Sequence, residues 1–143
     1  QKIAYLDDAY RHVIDNIRQY KEFAKVPIFI HGYDYAFPYP DSPDDPRKPK
    51  HAKKNEWLGE PLDARKIKDR DLRRNIIRFL VDALYDMLGD IAGDPKQTNI
   101  WLVDCRGAMP DVSDWIDEIH GTNDGFAKVA ARFKKVLKKA GVS

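Results

Sequence analysis

Apolar residues recur at three- and four-residue spacing from the start of the chain. Ile3, Leu6, Tyr10, Val13, Ile14 and Ile17 fall on one stripe, with Asp7, Asp8, Arg11, Asp15 and Arg18 between them, which predicts an amphipathic helix. After Lys25 the period changes. "VPIFI" is a short β-branched and aromatic run ending at His31-Gly32, as expected of a strand buried on both faces, with its proline at a strand start. A second long stripe (Leu72, Ile76, Leu80, Leu84, Leu88, Ile91, widened by Ile77 and Val81) predicts a helix capped by Asp69 or Asp71 and closed near Gly93-Asp94-Pro95. "TNIWLVDCRG" gives a second buried strand. A last helix starts near Thr122 or Asn123 and is expected to bury Phe126, Val129, Ala130, Phe133 and Val136.

Helix, strand, loop, helix, strand, loop, helix implies parallel strands joined by right-handed crossovers, hence an α/β fold, a parallel sheet with flanking helices. Two buried strands make a poor sheet, because each leaves an apolar edge and uncovered faces, so the pattern reads as part of a larger one. Between the strands, residues 36–60 form a proline-rich lid or loop. "AFPYPDSPDDPRKPKHAKKN" holds five of the nine prolines and is expected to stay out of the core.

Composition sets limits. A chain of 143 residues with 43% hydrophobic content is expected to form a single domain over 1–143. Lys+Arg 25 against Asp+Glu 23 leaves a charge of +2, so no global field points to nucleic acid or an anionic membrane. No stretch approaches the ~20 apolar residues of a membrane span, and the charged N-terminus is unlike a secretory signal. A soluble chain is expected, cytoplasmic or exported. The chain opens on Gln1 without an initiator Met, so a preceding segment is expected, and any signal peptide would lie there. Cys105 stands alone, so it forms no internal disulfide, which fits a reducing compartment without establishing one.

Candidate chemistry lies after the second strand. Ligands of open parallel sheets bind outside the carboxyl ends of the strands, where "HGYDY", "DCRG" and the turn with Asp117 and His120 all fall. A histidine acting as general base needs its second ring nitrogen held by an acceptor, and an acid three residues earlier can fold back onto it. Against this, acid-x-x-His arises by accident in so charged a chain.

The block "DEIHGTNDGFAKVA" resembles the last motif of the SGNH/GDSL hydrolases, in which Asp-x-x-His precedes the final helix. Upstream, "PIFIHGYDYAFP" resembles that family's fourth strand and active-site loop, "WLGEPL" and the long helix its lid and crossover, and "IWLVDCRG" its fifth strand. The resemblance spans nearly the whole chain and implies the C-terminal part of an SGNH-hydrolase (flavodoxin-like) three-layer fold. It also implies an esterase or lipase with a Ser-His-Asp triad, in which Asp117 is the orienting acid and His120 the base. Gly121 stands where family members often have Pro. The family's Ser block and its oxyanion Gly and Asn blocks have no counterpart here: Ser42, Ser113 and Ser143 lack the right neighbours. The nucleophile is therefore expected on a missing N-terminal segment or a second chain. The expected partner is an ester substrate with an acyl or acetyl group, and no cofactor is called for.

Other readings stand beside it. Tyr33, Asp34, Tyr35 and Trp57 are candidate substrate-binding residues, the aromatic ones equally explained by packing of the lid. Cys105 could serve as nucleophile for His120, though a lone strand cysteine is usually core. His31, Asp34 and His51 show no metal-ligand spacing, and His31 is expected to hydrogen-bond at the strand end. Lys128, Arg132, Lys134, Lys135, Lys138 and Lys139 lie on or beside the last helix as a solvated face, with weak polyanion binding the lesser reading. A chain that is complete without a nucleophile would be an inactive interaction module that pairs its open sheet edge with a partner.

Overall fold

The computed structural model describes residues 2–47 and 57–142. It is a mixed α/β protein with the elements α1 (Lys2–Arg18), β1 (Ile28–His31), α2 (Gly59–Ala64), α3 (Arg70–Ala92), β2 (Ile100–Val103) and α4 (Asn123–Lys139), together with single 3-10 turns at Lys21–Phe23 and Val112–Asp114. No helix among the described residues is long and apolar enough to cross a membrane. The chain folds as two compact units. One comprises the stretch up to Gly32, Asp82–Asp104 and the stretch from Phe133; the other comprises Tyr33–Val81 and Cys105–Arg132 as far as they are described.

The first unit holds the sheet. β1 and β2 pair in parallel, with Ile28 opposite Ile100 and His31 opposite Val103. Arg18, at the end of α1, fastens the entrances of both strands. Its guanidinium donates to the carbonyls of Phe23, Val26 and Thr98, each at 2.7 Å. Asn99 turns the chain into β2 with φ +61, and its amide donates to Lys25 O at 2.8 Å. Asn is among the few residues that enter the left-handed region at low cost. Ile14, Ile30, Leu88, Ile91, Ile100 and Val103 are buried in this unit.

The strands are less covered than their composition suggests. Only Ile30 of β1 is buried, and Trp101 and Leu102 of β2 are half-buried, because a two-stranded sheet among the described residues gives each strand one neighbour. The expected stripe of α3 is covered in part, with its last residue, Ile91, buried. Ile77, Val81, Tyr85 and Leu88 form the buried line, while Leu72 (49%) and Leu80 (52%) are exposed. Of the residues expected to be buried on α4, Phe126 is 52% exposed, Ala130 is exposed, and Val129, Phe133 and Val136 are half-buried. Periodicity locates an apolar face but does not supply the element that covers it.

In the second unit, Asp69 caps α3, with its carboxylate accepting from Leu72 N at 2.7 Å. Thr122 Oγ1 does the same for α4 at Gly125 N, at 3.0 Å. The lid departs from expectation as well. Ala36, Pro38 and Arg47 are buried, so part of the lid packs inside this unit. Arg47 is tolerated there because Asp45 pairs with it at 2.7 Å and the carbonyl of Phe37 accepts a further bond at 2.7 Å. Residues 48–56 of the lid lie outside the described residues.

Candidate functional site

Between the 3-10 turn and α4 the chain closes a tight loop. Trp115 and Gly121 form an antiparallel bridge, Ile116 N donates to His120 O at 2.8 Å, and Thr122 N donates to Asp114 O at 2.7 Å. Gly121 sits in that bridge. Within the loop the Asp117 carboxylate is 1% exposed. Its Oδ1 accepts from the amides of Ile119 (2.9 Å) and His120 (2.8 Å), and its Oδ2 lies 2.8 Å from His120 Nδ1. Burial pushes the carboxyl of Asp117 up, but those amides and the imidazole outweigh it and hold the group below the usual carboxylate value. An ionised carboxylate only accepts, so Nδ1 carries the proton that faces Asp117, and in the neutral ring Nε2 is the nitrogen that keeps a lone pair. The imidazole is 52% exposed.

Aromatic residues back the loop. The Tyr33 hydroxyl donates to Ile119 O, and its ring stacks on Trp115 at 6.5 Å. Burial and the negative charge of Asp117 raise the Tyr33 phenol above its ordinary value, so it remains a donor. Trp115 is itself fixed by its indole N–H on Met109 O at 3.2 Å.

Sequence reasoning missed the residue beside Asp117. Glu118 is 1% exposed and its carboxylate gathers four amides: Tyr39 N (2.5 Å), Trp57 N (2.9 Å), Leu58 N (2.8 Å) and Gly59 N (2.7 Å). It clasps both described flanks of the lid to the histidine loop. Arg47 adds a donor to the Asp117 carbonyl at 3.2 Å. No local signal marked it, because the amides it holds lie 59 to 79 residues away along the chain.

The four candidate substrate-binding residues separate into two places. Tyr33 and Trp57 are tied to the histidine loop, Trp57 through its backbone with its side chain 52% exposed. Asp34 and Tyr35 instead line a cavity of about 120 Å³. Asp34 is 3% exposed, and its carboxylate holds the amides of Tyr35 (2.6 Å), Gly107 (2.5 Å) and Met109 (2.5 Å).

Neither Ser42 nor Ser113 hydrogen-bonds to His120, and Ser143 lies outside the described residues. Cys105 is 2% exposed. His31 Nδ1 lies 3.1 Å from Gly32 O, the strand-end bond its position suggested. Among the described residues no group of three or more His, Cys, Asp or Glu side chains is placed to hold a metal, and His51 lies outside them. In comparisons with protein-family models, with curated proteins and with solved structures, nothing matches this chain.

Proposed function

We propose that the chain carries the acid–base half of an SGNH/GDSL-type ester hydrolase, with the nucleophilic Ser and the oxyanion donors on a segment outside these 143 residues. The observation that supports this is the Asp117–His120 pair: a buried carboxylate oriented by two amides, a 2.8 Å bond to Nδ1, and a half-exposed imidazole. His120 Nε2 takes the proton of the attacking hydroxyl, Asp117 stabilises the imidazolium, and the proton passes to the leaving alkoxide. Water then repeats the sequence on the acyl-enzyme. An acyl or acetyl ester is the substrate class, and the steps draw on no metal or organic cofactor. The three-layer SGNH fold belongs to the same proposal.

The test begins with the intact and solution mass of native material and with peptide mapping of any co-purifying chain. p-Nitrophenyl acetate is then assayed with and without a serine-reactive phosphonate. A labelled Ser on a second polypeptide or a longer parent, with Asp117→Asn lowering kcat by about 10⁴, is the expected result. Turnover blocked by a thiol reagent would move the chemistry to Cys105, and an Asp117→Asn protein of full activity would remove the dyad from it.

Phe79 (71% exposed) and Phe126 (52% exposed) favour a second reading, an interaction module that buries these rings against a partner chain. That reading predicts a solution mass above 16.5 kDa and no ester turnover in any assembly.

A further inference from the structure

The cavity of about 120 Å³ in the second unit is lined by apolar, aromatic and cationic side chains. Tyr35, Phe37, Met109 and Pro110 supply flat and apolar surface, and Arg74 and Arg78, one turn apart on α3, supply the cations. The two arginines differ. Arg74 is held by both carboxylate oxygens of Asp41 and lies over the Phe37 ring at 5.4 Å. Arg78 lies over the Tyr35 ring at 5.7 Å, and among the described residues it makes no ion pair. The acidic group in the wall, Asp34, has its oxygens occupied by the amides of Tyr35, Gly107 and Met109. The guanidinium of Arg78 therefore gives the cavity donors without an internal acceptor. A guanidinium offers a planar fork that matches a carboxylate, and aromatic walls suit a flat body.

We infer that this cavity binds a small planar carboxylate, with the acid on Arg78 and the apolar body between Tyr35, Phe37 and Met109. An engineered cavity of about 150 Å³ takes up benzene, so this one accommodates a ligand of roughly that size or slightly smaller, its carboxylate reaching the open side. The site is separate from the hydrolase reading, since its occupancy is measured with no ester and no nucleophile present.

The probes are benzoate, its neutral isostere benzamide, and inorganic phosphate, each titrated into the ¹⁵N-labelled chain while the Gly107 and Met109 amides are followed. Benzoate is expected to shift both amides saturably. Arg78→Met weakens this at least about tenfold, the scale of a charge-assisted bond, and Arg78→Lys recovers part of it. Because Arg78 is exposed, the variants keep their fold, and unchanged amide spectra away from the cavity verify this. Benzamide binding as tightly as benzoate, benzoate binding indifferent to Arg78→Met, or no saturable shift with benzoate would overturn the site. Phosphate binding in place of benzoate would overturn the carboxylate assignment.

Discussion

Three hydrogen bonds converge on the two oxygens of Asp117, and each favours its charged form. Its carboxyl is thereby held below the ordinary value of 3.8, so the unfolded chain binds this proton more tightly than the folded one. The stability this contributes is complete above the ordinary value and is lost as pH falls through the lower folded value. Urea midpoints measured between about pH 2 and pH 5 are therefore expected to fall less steeply with acid in Asp117→Asn than in the parent. An unchanged slope would mean that the bonds do not favour the charged form. Gly125 is constrained by space instead. A Cβ there would stand 2.4 Å from Asp114 O and 2.9 Å from Met109 Sδ, and the first of these is backbone that cannot swing aside. Gly125→Ala is expected to destabilise the chain by about 1–3 kcal/mol despite its better helix propensity, as read from the shift in urea midpoint. The Asp117–His120 pair was legible in the sequence because both partners lie in one turn. The roles of Asp34 and Arg47 were not, since the groups they hold include Met109, 75 residues from Asp34, and Asp117, 70 residues from Arg47.

Among the elements, the two strands and three longer helices were legible from period and caps, whereas the choice of Asp69 over Asp71 as the cap of α3 needed the side-chain bond. Which face of each is covered was not. Of the stripe expected on α3, Ile77, Val81, Leu88 and Ile91 are buried while Leu72 and Leu80 are exposed, and only packing separates the two sets. The short α2 escaped notice because Pro61 reads as a breaker, although in a helix's first turn its missing N–H is no loss. The connection most exposed to mutation is the Glu118 clasp, where four amides would be left inside without an acceptor. Glu118→Ala is expected to cost about 2–4 kcal/mol, and Glu118→Gln less, since its amide keeps one accepting oxygen. Hydrogen exchange at Trp57, Leu58 and Gly59 is the direct readout: all three amides should lose protection together, and continued protection would mean that other acceptors serve them.

At the scale of the whole chain, several large apolar side chains are left in water. Tyr5 (76%), Val13 (57%), Phe79 (71%) and Phe126 (52%) are exposed, distributed over both units. Large apolar side chains left in water favour association, at roughly 25 cal/mol for each Å² they remove from it. Sedimentation of the isolated chain is expected to show a mass that rises with concentration above 16.5 kDa, and Phe79→Lys with Phe126→Lys to lower it. A monomer at every concentration would leave these rings without a partner to explain them.

Glu118 also carries a consequence for the order of events in folding. The amides it gathers lie 59 to 79 residues away along the chain, so no part of the clasp forms until the intervening segment has closed into a large loop. Contacts of that separation are the last to reward the chain for closing. Losing the carboxylate should thus leave the refolding limb of a chevron almost unmoved and raise the unfolding limb by nearly the full free-energy change. The loop around His120 would then be assembled early by its own short-range bonds and locked late, making Glu118 a determinant of how long the native arrangement lasts.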